Sequence, residues 1–448
     1  MERTTQQKPS TVSKKYLLPF IIITSLFALW GFANDITNPM VAAFKSILEL
    51  SNFKASLVQF SFYGGYTLMA IPAALFIRKK GYKSGILIGL GLYAIGAFLF
   101  FPAASMEVYS LFLISYCILT FGLAFLETTA NPYILAMGDP STATRRLNFA
   151  QAFNPMGSLV GMFVASKFVL AKLASDDVDA SGNLIYHSLP EAQKAAIRTN
   201  DLAIIRNPYV IIGFIVLAVF FLILFTKMPN FHKHKNENKA IDSFKRLFHN
   251  KTYLQGVLSQ VFYVGAQIMC WTYIIFYCEN LGIEKSTAQN YNIIAMGCFL
   301  GMRFIGTYLM KFFDSAKLLG IFALGGIISI SCVILFGGIF GLICLIATSV
   351  FMSIMFPTIY GQALEGLTND DATIGASGLV MAIVGGSFMP LVQGKIMDLG
   401  GKGLNDMHIF GYIPEVNFSF ILPLICFIVI LLYSISLQKT QRIPDSTK

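Results

Sequence analysis

The chain has 448 residues, of which 55% are hydrophobic and only 12% charged, and its formal net charge is +10. A soluble globular protein would carry about 25% charged residues, so a soluble enzyme is excluded, and the 41 Phe and 19 Tyr equally exclude a disordered chain. What remains is an all-α polytopic membrane protein whose surplus positive charge sets its orientation and meets anionic lipid head groups, with no call for nucleic acid.

Lys14 and Lys15 precede an apolar run from Tyr16 in the manner of a signal peptide. That run is too long for a leader and no small-x-small cleavage site follows, so it reads as a retained first span. Apolar runs then place six spans at 16–38, 54–78, 84–102, 108–138, 146–171 and 207–227. A basic linker, 228–251, separates them from six more at 252–279, 287–310, 316–337, 339–366, 372–397 and 417–437. Counted from an inner N-terminus, 22 of the 33 Lys and Arg fall in inner segments. The long outer loop 172–206 instead carries Asp176, Asp177, Asp179, Glu191 and Asp201, which places both termini in the cytoplasm.

The two sets of spans repeat weakly. The basic segment from Arg78 to Lys83, between spans two and three, recurs from Lys311 to Lys317, between spans eight and nine. The same offset carries Glu127 onto Tyr360, so the polar parts of spans four and ten correspond. Two parallel six-helix halves, 1–227 and 252–448, with a site between them are the logic of the major facilitator fold with 12 transmembrane helices. Glycines such as Gly89, Gly91 and Gly96 follow no strand and read as close helix packing, not a nucleotide loop.

No metal or cofactor is expected. The seven cysteines lie in or beside apolar stretches without Cys-x-x-Cys spacing, as buried small hydrophobes. The five histidines all fall in connecting segments, and His232-Lys233-His234-Lys235 reads as a solvated basic loop.

An ionised group at the centre of a membrane helix costs about 2.5–3.5 kcal/mol, so each one asks for a function. Asp35 stands late in A-L-W-G-F-A-N-D-I-T-N-P-M (28–40), with Asn38 three residues on and on the same face; the alternative is an aspartate already at the outer interface. Glu127 lies inside A-F-L-E-T-T-A-N-P-Y (124–133), with Asn131 one turn away and Pro132 freeing a backbone carbonyl. An apolar setting disfavours the charged form of a carboxyl, which suits such a group to take up and release protons; the alternative is a helix-packing hydrogen bond. Arg303, near the inner end of span eight, is placed for snorkelling or a structural ion pair ahead of substrate contact. Arg78 belongs to the basic inner loop, a gate whose acidic partner is missing.

Uncharged polar groups complete a candidate pocket. Gln151 and Asn154 stand at i,i+3 in span five, and Tyr263, Gln267 and Trp271 form an i,i+4,i+8 stripe in span seven. Amides and carboxylates pair with sugar hydroxyls, and aromatic faces cover the C–H side of a sugar ring. The alternatives are amides that glue helices together and aromatics of the interfacial belt.

At these residues the chain resembles the fucose permease branch of the major facilitator superfamily, which also holds glucose/galactose transporters. The resemblance rests on F-Y-G-G-Y (62–66), L-E-T-T-A-N-P (126–132), R-L-N-F-A-Q-A-F-N (146–154), Q-V-F-Y-V-G-A-Q-I-M-C-W-T-Y (260–273), F-M-S-I-M-F-P-T-I-Y (351–360) and V-M-A-I-V-G-G (380–386). It implies sugar uptake coupled to proton entry, with Glu127 as the carboxylate that protonates and Asn154 as the amide it meets. One departure stands out: relatives of this branch carry an aspartate where this chain has Asn38 and an amide where it has Asp35.

The expected function is a membrane symporter, working as a monomer, that imports a monosaccharide, L-fucose first, with protons. A glucose, galactose or amino-sugar symporter is the nearest rival. A membrane glycosyl or acyl transferase is disfavoured because no loop carries a His/Asp cluster, G-x-S-x-G or H-E-x-x-H. A sugar sensor would add a soluble output domain, and only 11 residues follow the last span.

Overall fold

The computed structural model describes residues 12, 14–50, 52–176, 185–231, 240–283, 285–397 and 407–442. Among them, twelve helical spans are long and apolar enough to cross a membrane. The first four are Leu17–Ile47, Asn52–Lys80, Tyr82–Ser105 and Tyr109–Ala136. Span five is broken into Ala143–Gln151 and Phe153–Val164, and span six is Glu191–Phe225. Spans seven, eight and nine are Lys251–Asn280, Lys285–Leu309 and Ser315–Phe336. Span ten is broken into Gly338–Met352 and Met355–Ala363, span eleven into Asn369–Met381 and Gly385–Met397, and span twelve ends in Ile421–Arg442. A two-residue-stranded hairpin, His408–Ile409 against Ile413–Pro414, precedes span twelve.

Three features depart from the sequence expectation. Span six begins at Glu191 rather than near 207, and at about 1.5 Å per residue its 35 residues outrun the bilayer. Its polar first turns are held by charge: Lys194 pairs with Glu49 at 2.8 Å and Arg198 with Glu107 at 2.8 Å. The linker is also not loop throughout, because Ala240–His249 is a helix. Arg246 binds Asp371 through two donors at 2.9 and 2.7 Å, and Leu247 is buried beside Gly375 at the head of span eleven. The cluster at 232–235 lies outside the described residues. The third departure is the breaks themselves, which an unbroken hydrophobic pattern does not announce.

The chain groups into two compact units. One comprises Ile21–Ala130 and Phe153–Lys235. Its core is aromatic: the Tyr116 and Tyr209 hydroxyls meet at 2.8 Å, and Phe100 stacks on Tyr209 with ring centroids 3.9 Å apart. Spans one and five approach backbone to backbone at Gly31, Gly157 and Gly161. Lys83 donates to the carbonyls of Leu224 and Thr226 at 2.9 Å, capping the end of span six.

The other unit holds Met1–Phe20, Asn131–Ala152 and Asn236–Lys448. Spans seven and eleven pack closely here, with Gly385 against the carbonyl of Val261 and Gly265 against Met389. Arg146, fully buried, donates to the carbonyls of Ile134 and Leu135 at 2.7 and 2.6 Å and so ties the end of span four to the start of span five.

Candidate functional site

In the first unit the two membrane carboxylates stand in different settings. Glu127 is 4% exposed, in the C-terminal half of span four. The Tyr66 phenol lies within electrostatic reach of it and accepts a hydrogen bond from Trp30 Nε1 at 3.1 Å. Trp30 is itself stacked on Phe27 with centroids 5.1 Å apart. A buried carboxyl within reach of a phenol whose oxygen an indole engages can hold a proton without exposing it to lipid. Asp35 is half-buried, with the Tyr63 phenol and the Ser158 hydroxyl within electrostatic reach; Ser158 itself donates to the carbonyl of Gly31 at 3.4 Å. Asn154 donates to the carbonyl of Phe27 at 3.4 Å, close to the point where spans one and five touch. Arg78 is half-exposed at the C-terminal end of span two. The side chain of Asn38 lies outside the described residues.

In the second unit, Gln151 closes the first half of span five. The break at Ala152 separates it from Asn154, and the two amides take different partners. Gln151 Nε2 donates to Asn131 Oδ1 at 2.8 Å. Its backbone carbonyl accepts from Arg303 Nη1 at 2.9 Å. Arg303 is 3% exposed and so does not snorkel. Its Nε donates to the carbonyl of Ser353 at 2.5 Å, and its guanidinium lies 4.5 Å above the Phe299 ring. These two donors end on backbone carbonyls, which an ion-pair reading does not anticipate.

The span-seven stripe divides. Tyr263 is buried and its hydroxyl donates to the carbonyl of Met352 at 3.2 Å. Trp271 is half-buried, donates to Ser349 Oγ at 3.1 Å and packs edge-on against Phe299. Gln267 is half-buried, and no hydrogen bond among the described residues engages its amide. Gln267 and Trp271 are thus the accessible members of the stripe. Tyr360 is fully buried and stacks on Phe356.

Sequence reasoning did not single out Tyr66, Trp30 or Ser158. Tyr66 was visible only as the last letter of F-Y-G-G-Y, because a tyrosine in an apolar span looks like packing until its hydroxyl is placed beside a carboxyl. Among the described residues no group of three His, Cys, Asp or Glu is placed to hold a metal ion.

Comparisons with known proteins bear on what this arrangement serves. The family model of the Major Facilitator Superfamily matches residues 22–390. The chain is 60% identical to the L-fucose-proton symporter of Haemophilus influenzae, over 94% of this chain and 97% of that one. It is 29% identical to the glucose/galactose transporter of Brucella abortus, covering 94% of each. Its structure resembles the crystal structure of the fucose:proton symporter of E. coli with a TM-score of 0.83, at 33% identity, covering 95% of this chain and 99% of that one.

Proposed function

The chain belongs to the major facilitator superfamily, and we propose that it is a secondary active transporter, not an enzyme, importing L-fucose in symport with protons by alternating access. The observation that carries this reading is its likeness, across nearly the whole chain, to a symporter of that sugar. The chemistry of the two carboxylates supports it.

Glu127 is the proton carrier. Buried charge is expensive in a membrane, so the protonated carboxyl is the form that moves, and the Tyr66 phenol lies within electrostatic reach of it. Asp35, near Ser158, is the second coupling carboxylate and takes the place of the aspartate expected at Asn38. Gln151, Asn154, Gln267 and Trp271 contact the sugar: amides for its hydroxyls, the indole for its C–H face. Tyr263, spent on a span-ten carbonyl, and Tyr360, stacked on Phe356, shape that wall from behind. The transporter works as a monomer in the inner membrane with both termini in the cytoplasm, its halves 1–227 and 252–448 joined by the linker 228–251.

The test is uptake into proteoliposomes. Glu127→Gln should exchange labelled fucose across the membrane yet fail to accumulate it under a pH gradient. Full gradient-driven accumulation by that variant would remove Glu127 from its role. The likeness to a glucose/galactose transporter motivates a second reading, a symporter of those hexoses. Competition of each sugar against labelled fucose decides between the two.

A further inference from the structure

The two carbonyls that Arg303 binds share a property. The carbonyl of Gln151 would receive its helical hydrogen bond from residue 155, and that of Ser353 from residue 357. Both positions are proline, Pro155 and Pro357, which have no N–H to give. Each proline thus leaves a carbonyl without its helical donor at the point where its span breaks, one after Gln151 and one after Met352. An unsatisfied backbone carbonyl is costly in the bilayer core, where no water can pair with it. A single guanidinium from span eight reaches both, Nη1 to Gln151 and Nε to Ser353, with Phe299 beneath its plane. Only arginine offers two donors in this fixed planar fork; lysine is a point charge on a flexible stem.

The consequence runs through Gln151. Its backbone is fixed by Arg303, and its side chain, fixed in turn, donates to Asn131. We propose that Arg303 is a positioning residue for sugar binding: it satisfies the two proline-orphaned carbonyls and thereby sets the orientation of the Gln151 amide. This rests on the reading of Gln151 as a sugar contact. It assigns Arg303 no contact with sugar and no part in proton transfer.

The experiment is a mutant cycle read by uptake of labelled fucose into proteoliposomes. Arg303→Lys should raise KM about tenfold, the weight of a charge-assisted hydrogen bond, while leaving maximal rate and the pH profile near those of the unmodified protein. Restoring the missing N–H groups with Pro155→Ala and Pro357→Ala should then recover much of the lost affinity in the Arg303→Lys background, because the carbonyls regain donors of their own. Three results would each overturn the proposal: an unchanged KM in Arg303→Lys, even with lowered thermal stability; a shifted pH profile or a loss confined to maximal rate; or a KM defect that the two alanines leave untouched. Should Arg303→Lys not fold, Pro155→Ala with Pro357→Ala, followed by Arg303→Gln, carries the same comparison. Absence of fucose uptake by the unmodified protein would refute the proposed function instead, and is read from the first lane of the same assay.

Discussion

Gly157 in span five faces the backbone of span one so closely that a Cβ on it would lie 1.8 Å from the carbonyl oxygen of Ala28. The contact is reciprocal, since a Cβ on Gly31 would lie 2.0 Å from the carbonyl of Asn154. Backbone, not a flexible side chain, is the obstacle on both sides, so neither helix can yield by a rotamer change. This seam sets Ser158 against the carbonyl of Gly31 and Asn154 against that of Phe27, with Asp35 nearby.

Gly157→Ala is therefore expected to force spans one and five apart. Overpacking of this kind costs roughly 1–3 kcal/mol, visible as a lower melting temperature of the purified protein in detergent, with fucose uptake falling in parallel. Gly64, with nothing within 4 Å of its would-be Cβ, is the control: Gly64→Ala should melt like the unmodified protein. Equal melting temperatures for both variants would show that the seam gives way more easily than its geometry allows.

Asp35 and Asn38 stand three residues apart in one continuous helix and share a face. If span one needs a carboxylate on that face more than at one particular turn, its position should be exchangeable. Asp35→Asn should abolish accumulation of fucose under a pH gradient, and adding Asn38→Asp should restore a measurable part of it. A double variant as inactive as the single would tie coupling to the particular turn that Asp35 occupies, near Ser158.

The number and order of spans were legible in the sequence because each is a long apolar run, and lipid permits little else than helix. The ends were less legible. Span six hides its first turns among charged residues, and only the pairing of Lys194 with Glu49 and Arg198 with Glu107 makes those turns helical. The breaks in spans five and ten leave the hydrophobic pattern intact, and their signal was Pro155 and Pro357 alone. In the site, Glu127 and Asp35 announced themselves by charge. Gln151 and Asn154 were read as one face, yet a single turn residue at Ala152 sends them to different partners. Tertiary placement decides such cases, and spacing along a helix does not carry it.

The chain has two tryptophans, and the structure gives them different tasks. Trp30 is 5% exposed, stacked on Phe27, with its N–H committed to Tyr66. Trp271 is half-buried beside Gln267, with one edge against Phe299. A sugar that stacks on an indole face should therefore change the fluorescence of Trp271 and leave that of Trp30 almost alone. In Trp30→Phe the fucose-induced fluorescence change should persist, and in Trp271→Phe it should vanish. Trp271→Ala should weaken binding by roughly threefold to tenfold, the range for one aromatic contact. Trp30→Phe should instead act on coupling, since it removes the donor to the phenol beside Glu127: fucose still binds, and accumulation under a pH gradient falls. A fluorescence change retained in Trp271→Phe would take the indole of span seven out of the sugar site, leaving Gln267 as the accessible member of its stripe.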